Sequence, residues 1–318
     1  MLKRISRIST VGYLLVLALV LVSTKPLAAQ NNPLRIATLH WFTANQVTSF
    51  AVGNVPIHVA FDGSSIWVVH GNDNTVKKLR ASDGGLLGTF TVGTNPFNLA
   101  FDGANIWVTN TASKNVTKLR ASDGAVLGTF IVGTQPLGIA FDGSNIWVAN
   151  GLDNTVSKLA TSGTVLGTFA VGVLPDGVVS DGANIWVANH NSDTVTKLRA
   201  SDGKVLGTFP VGIAPGELAF DGANIWVSNF ASNTLTKLQA SNGAVLGTFA
   251  VGSGPVGVAF DGARIWVAND GSNTVTVLQA SNGAVLGTFP VGTNPEGIGF
   301  DGANIWVANT GSNTLSKL

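Results

Sequence analysis

Cysteine is absent from all 318 residues. That excludes stabilisation by disulfides and attachment to a membrane through a lipidated cysteine. Charge is scarce too: 18 Lys and Arg stand beside 17 Asp and Glu, so charged residues make up only 11% of the chain. No basic cluster or basic-aromatic stripe occurs, which argues against nucleic acid as a partner, because phosphate binding needs grouped cations. Also missing are a nucleotide loop, zinc-ligand spacing, a G-x-S-x-G elbow and calcium loops of the D-x-[DN]-x-[DN]-G type. Beyond the first thirty residues there is no apolar run long enough to span a bilayer.

The N-terminus is of a different kind. Lys3, Arg4 and Arg7 precede an apolar run from Val11 to Val22 and a small-residue stretch ending at Ala28-Ala29. This is the layout of a secretory signal peptide over residues 1–29, with cleavage expected near Ala29 and a secreted or periplasmic destination. Retention as an uncleaved anchor is the alternative, although the run of 12 residues is short for a span. The leader holds four of the 18 basic residues and none of the 17 acidic ones, so the mature chain carries a net charge of −3. Residues 30–45 read as a linker or N-terminal extension.

What fills the remainder, residues 46–318, is one sentence written seven times. FDGANIWVAN at 300–309 has close copies beginning at Phe61, Phe101, Phe141, Ser180, Phe220 and Phe260. The tryptophans Trp67, Trp107, Trp147, Trp186, Trp226, Trp266 and Trp306 are spaced 40, 40, 39, 40, 40 and 40 residues apart. A fixed period near 40 with short apolar runs between Gly, Pro, Asn and Asp marks a propeller or solenoid. In the third unit the runs predict strands A (Ile139–Phe141), B (Asn145–Ala149), C (Thr155–Leu159) and D (Val165–Val171), with an Asp-Gly turn between A and B. The A, B and C strands occur seven times, the last ending at Leu318, whereas a spare D-like piece, QVTSFAVG, stands first at 46–53. The count closes only if that piece completes the last blade, which also removes both open sheet edges. The expected fold is all-β: a seven-bladed β-propeller of four-stranded antiparallel blades, closed by the N-terminal outer strand.

The Pro-x-Gly before strand A, IWVAN in strand B, SNTVTKL in strand C and VLGTFxVG in strand D resemble the YVTN and NHL-type repeats of exported bacterial propellers, the group called YncE-like. The resemblance spans about residues 46–318. It implies the fold and leaves function open, because such propellers host binding modules and enzymes alike.

Residues constant in every unit are expected to be structural. The Trp ring reads as inter-blade packing. Asp62, Asp102, Asp142, Asp181, Asp221, Asp261 and Asp301 read as turn residues bonded to nearby backbone. Lys78, Lys118, Lys158, Lys197, Lys237 and Lys317, interrupted only by Val277, read as a solvated rim on the outer strands. Variation falls largely on the face made by the D–A and B–C loops. After the repeated proline stand Ile57, Phe97, Leu137, Asp176, Gly216, Val256 and Glu296, followed by His58, Asn98, Gly138, Gly177, Glu217, Gly257 and Gly297. His70, His190, Phe230 and Asp270 depart from the pattern at or after IWVAN.

The candidate ligand-binding residues are therefore His58, His70, Phe97, Asn98, Asp176, His190, Glu217, Phe230, Asp270 and Glu296, expected around the mouth of a central channel. A binding module for a small molecule, peptide or protein is favoured, and a monomer is expected. The alternatives are a metal-assisted lyase or hydrolase resembling streptogramin-inactivating propellers and a structural envelope component. The lyase resemblance implies a His with acidic groups and a divalent ion, and two pairings suggest themselves: His190 with Glu217, and His58 with Glu296. Strand B ends in Asn150, Asn189, Asn229, Asn269 and Asn309 where those enzymes carry an acid, so no catalytic residue is transferred. No cofactor is evident, and a divalent cation is the one left open.

Overall fold

Each repeat alternates short β-rich segments with turns that need special backbone conformations, and the chain obeys both signals. The structure is a computed structural model that describes residues 48–318. The expected signal peptide (1–29) and linker (30–45) lie outside the described residues. Strand β1 (Thr48–Ala51) comes first, followed by blade one: β2 (Pro56–Phe61), β3 (Ser65–His70), β4 (Thr75–Arg80) and β5 (Leu86–Thr91). The same order repeats through blade seven, made of β26 (Pro295–Phe300), β27 (Ile305–Asn309), β28 (Thr314–Lys317) and, as its outer strand, β1. β1 pairs antiparallel with β28 in the register Thr48↔Lys317 to Ala51↔Thr314. The seven-bladed β-propeller is thus closed by its N-terminal strand, as the strand count required. Phe50 of β1 stacks on Trp306 of β27 with ring centroids 5.5 Å apart, so the seam is packed as well as hydrogen-bonded.

The Trp side chains hold blade to blade. Trp67 of blade one lies in one buried cluster with Leu99, Ile106, Val108 and Leu119 of blade two, and the arrangement recurs around the ring. Each indole N–H donates to the hairpin Asp five residues earlier, for example Trp107 to Asp102 at 2.7 Å. The other oxygen of that Asp accepts from Ala104 and Asn105 backbone N–H groups. The repeated carboxylate is a turn residue, as expected, and also the anchor of the tryptophan. Gly103, at φ +96°, supplies the left-handed backbone the hairpin needs.

The lysine column is not a solvated rim. Lys197 is only 6% exposed. Its Nζ sits 4.9 Å from the Trp186 ring centre and donates to the Ala240 carbonyl of the next blade at 2.7 Å. Lys78, Lys118, Lys158, Lys237 and Lys317 repeat the arrangement. The reason is geometric: a long stem lies along the indole face while its ammonium satisfies carbonyls left over in the neighbouring C–D hairpin. This explains the exception at Val277. Blade seven takes its outer strand from β1, so β28 is not joined to an outer strand by such a hairpin, and the described residues offer a lysine at 277 no such carbonyls.

Strand A begins three residues earlier than the apolar run suggested. Its seven copies are β2, β6 (Pro96–Phe101), β10 (Pro136–Phe141), β14 (Pro175–Ser180), β18 (Pro215–Phe220), β22 (Pro255–Phe260) and β26. Each contacts its neighbours on both sides, β2 meeting β26, so together they line the axis. Every copy carries a bulge: Pro136 opposes Asn150 and Ile139 opposes Val148, leaving Leu137 and Gly138 together opposite Ala149. Two residues against one bends the strand and re-aims its side chains. The variable positions after the repeated proline are these bulge positions, on the innermost strands rather than in the D–A loops.

Candidate functional site

At the second bulge position the usual residue is Gly, for a steric reason. A Cβ on Gly138 would lie 2.2 Å from the Asp176 carbonyl oxygen, and one on Gly257 would lie 2.2 Å from that of Glu296. Neighbouring inner strands touch there. Blades one, two and five carry His58, Asn98 and Glu217 instead, and each has a compensating change. The next blade's bulge carbonyl is bonded by a side chain in all three: Phe97 O by His58 Nδ1 at 3.0 Å, Leu137 O by the Thr109 hydroxyl at 2.8 Å, and Val256 O by the Ser228 hydroxyl at 2.7 Å. Thr109 and Ser228 also accept from the Asn98 and Glu217 backbone N–H groups, both at 3.0 Å. The strand-B residue opposite the bulge is Ala149, Ala188, Ala268 or Ala308 where Gly follows, and Val69, Thr109 or Ser228 where it does not. That pairing was legible in the sequence and was missed there.

The three side chains so admitted meet across the axis. Glu217 Oε1, from blade five, accepts a hydrogen bond from Asn98 Nδ2 of blade two at 3.0 Å. The same oxygen lies 3.2 Å from His58 Nε2 of blade one, off the line of a good hydrogen bond, so the contact is foremost an ion pair. Nδ1 faces a carbonyl and so donates, while Nε2 faces the carboxylate. Burial would depress the His58 pKa, but the close Glu217 carboxylate, with the Glu296 charge and the Phe97 carbonyl, raises it above the ordinary value. Phe97 tilts against the His58 ring at 5.1 Å.

Two more carboxylates adjoin this group, both from first bulge positions. Asp176 is pushed up to about 7, chiefly by burial and then by the Glu217 charge, with His58 opposing and Glu296 adding. It keeps some contact with solvent yet has no hydrogen-bond partner among the described residues. Glu296 is also raised, mainly by burial, against the pull of His58 and a 3.3 Å bond from the Thr310 hydroxyl. Three carboxyl groups therefore surround one imidazole. Asp176 and Glu296 retain protons more tightly than ordinary acids, and the group attracts cations.

The remaining candidates divide. Asp270 opens a short 3₁₀ turn, Asp270–Ser272, and its charge helps raise Glu296. His190 and Phe230 lie in B–C turns; Phe230 is 42% exposed, and neither side chain bonds to the axial group. Of the two expected pairings, His190 with Glu217 is not formed, because His58 and Asn98 take that carboxylate. His58 meets Glu296 only through charge. His70 is fully buried at the closing seam, where other blades have Asn. Its Nδ1 donates to Asn54 O at 3.2 Å, its Nε2 lacks a partner, and burial lowers its pKa to about 4. It is a neutral packing residue, remote in role from the axial group. The strand-ending asparagines are structural: Asn150 donates to Thr155 and Ser157 and accepts from Gly133 N–H. Among the described residues no three His, Asp or Glu side chains are placed to share a metal ion.

No family profile matches the chain, and no curated protein does. Solved structures do resemble it. A streptogramin B lyase is 19% identical at a TM-score of 0.73, covering 85% of this chain and 96% of that one. A catalytically inactive histidine-to-alanine variant of virginiamycin B lyase from Staphylococcus aureus, with quinupristin, is 18% identical at a TM-score of 0.75, covering 86% and 98%. The hydrazine synthase of Kuenenia stuttgartiensis is 19% identical at 0.73, covering 83% and 95%. At such identities the likeness shows the fold, a seven-bladed β-propeller, and nothing finer.

Proposed function

We propose that this chain is an exported binding propeller of the YVTN/NHL, YncE-like repeat type, taking a cationic small molecule or peptide with an apolar part at the mouth of its axis. The carrying observation is the convergence of His58, Asn98, Asp176, Glu217 and Glu296 from five blades on one spot, with more carboxyl groups than counter-charge. A cationic group entering there gains the attraction of Asp176 and Glu296, and Phe97 offers an apolar neighbour. The test is a thermal-shift and calorimetric screen of the mature protein with primary amines, guanidines and divalent cations. An amine or guanidine bearing an apolar group is expected to bind the parent and to lose most of its affinity for Asp176→Asn/Glu296→Gln. Equal binding to both proteins refutes the reading. Export is tested by the intact mass of secreted protein, expected to lack residues 1–29.

A second reading, acid–base chemistry of the lyase or hydrolase kind, draws on one observation: Asp176, with a pKa of about 7, is able to exchange a proton near neutral pH in the same group as the His58 imidazole, whose pKa is raised. Incubation with a streptogramin B antibiotic decides it. Unchanged antibiotic is the result expected of a binding module, whereas turnover abolished by His58→Ala would make the chain an enzyme.

A further inference from the structure

On the opposite face, two open cavities of 490 Å³ and 380 Å³ lie between blades four and five and between blades five and six. They are one site repeated. Asn184, Phe220, Gln239 and Ser241 line the first, and their counterparts Asn224, Phe260, Gln279 and Ser281 line the second. The charged groups in the walls are occupied. Asp181 accepts from Trp186 Nε1–H at 2.8 Å, and Lys197 donates to the Ala240 and Ser241 carbonyls. What stays available in the first is neutral: the Gln239 amide, the Ser241 hydroxyl and the side-chain carbonyl of Asn184, whose NH₂ is held by Asp181; in the second, Gln279 Nε2 makes a long 3.4 Å bond to the Ala263 carbonyl and its own carbonyl is left.

The hairpins beside these cavities differ from others in a paired way. Arg80, Arg120 and Arg199 each bond an Asp three residues on, Asp83, Asp123 and Asp202, at 2.7, 2.9 and 3.0 Å. In blades five and six both partners are neutral amides, Gln239 with Asn242 and Gln279 with Asn282. Exposed ion pairs contribute little to folding, so a joint exchange beside both cavities concerns what the groove presents. We propose that the two grooves are equivalent sites for a neutral polyhydroxylated ligand, each taking a saccharide unit. Amides and a hydroxyl match vicinal sugar hydroxyls as donors and acceptors, and a phenyl ring on the lining matches the apolar C–H face of a pyranose. Two sites one blade apart allow one oligosaccharide to engage both and gain from effective concentration.

The repeat itself supplies the controls. Gln239→Arg/Asn242→Asp and Gln279→Arg/Asn282→Asp install the pair that blades one, two and four already fold with. Calorimetric titration of the mature protein with cello-, chito-, manno- and malto-oligosaccharides is expected to find a neutral ligand bound at two equivalent sites. Each paired variant should remove one site, and the fourfold variant should weaken binding at least ~10-fold with the melting temperature unchanged. Absence of binding by every one of these sugars up to about 10 mM, or undiminished binding to the fourfold variant, overturns the proposal.

Discussion

Two sets of carboxyl groups adjoin the inner strands of this ring, and they are treated oppositely. Asp102 at the A–B hairpin is partly buried, which works to raise its pKa, but an indole N–H, two backbone N–H groups and an amide outweigh that and lower it. Asp62, Asp181, Asp221 and Asp301 behave alike. Asp176 has no such donors, and its deeper burial, with the Glu217 charge, pushes its pKa up to about 7. A carboxylate that is bonded on every side holds a structure together. One that is buried unbonded costs stability, and a site for something else is the usual reason a protein keeps it.

The largest effect should come from breaking the ring that both sets depend on. Deleting residues 1–53 removes β1 and the Phe50–Trp306 stack and exposes the β28 edge. The truncated chain is expected to lose cooperative unfolding and to aggregate, as read by calorimetry and light scattering. Next is the bonded set: Asp102→Ala orphans the indole N–H and two backbone N–H groups, costing about 2–4 kcal/mol in urea titrations.

The unbonded set should respond with the opposite sign. Between the ordinary 3.8 and about 7, folded Asp176 holds a proton that the unfolded chain releases. The penalty is therefore absent in acid, grows as pH rises and is complete above 7. Asp176→Asn should raise stability by about 1–3 kcal/mol near pH 8 and leave it unchanged near pH 3.5. His70 sharpens the contrast, because its folded pKa is depressed from 6.5 to about 4. The folded chain binds fewer protons there, so stability is complete above 6.5 and is lost as pH falls through that window. His70→Asn, the residue of the other blades, should flatten this acid loss. The smallest effect is expected at the seam: Val277→Lys should gain nothing, whereas Lys197→Val should cost about 1–2 kcal/mol by orphaning carbonyls.

The blade count and the closure were legible because a 40-residue period and a displaced D strand are discrete facts of the sequence. The polar mouth was legible in its residues, since His58, Asn98, Asp176, Glu217 and Glu296 all break the repeat. Their placement was not. Pro-x-Gly looks like a loop, and only the register shows the two-against-one bulge that turns those positions toward the axis. Contacts between blades one, two and five need the ring closed before they can be seen, so Glu217 was matched to the nearest His in sequence order. The Thr109 and Ser228 departures from Ala were visible but looked like drift until their hydroxyls were found bridging inner strands. The lysines misled because an outer-strand Lys resembles solvated charge until an indole lies beneath it.

The most direct measurement is a pH titration of side-chain carboxyl carbon shifts in protein labelled at aspartate. The account expects one carboxyl, absent from Asp176→Asn spectra, to titrate near 7, and the Asp102 carboxyl to titrate below 3.8. An Asp176 resonance that titrates with the ordinary carboxylates would contradict it, for the axial acids would then be neither confined nor unpaired.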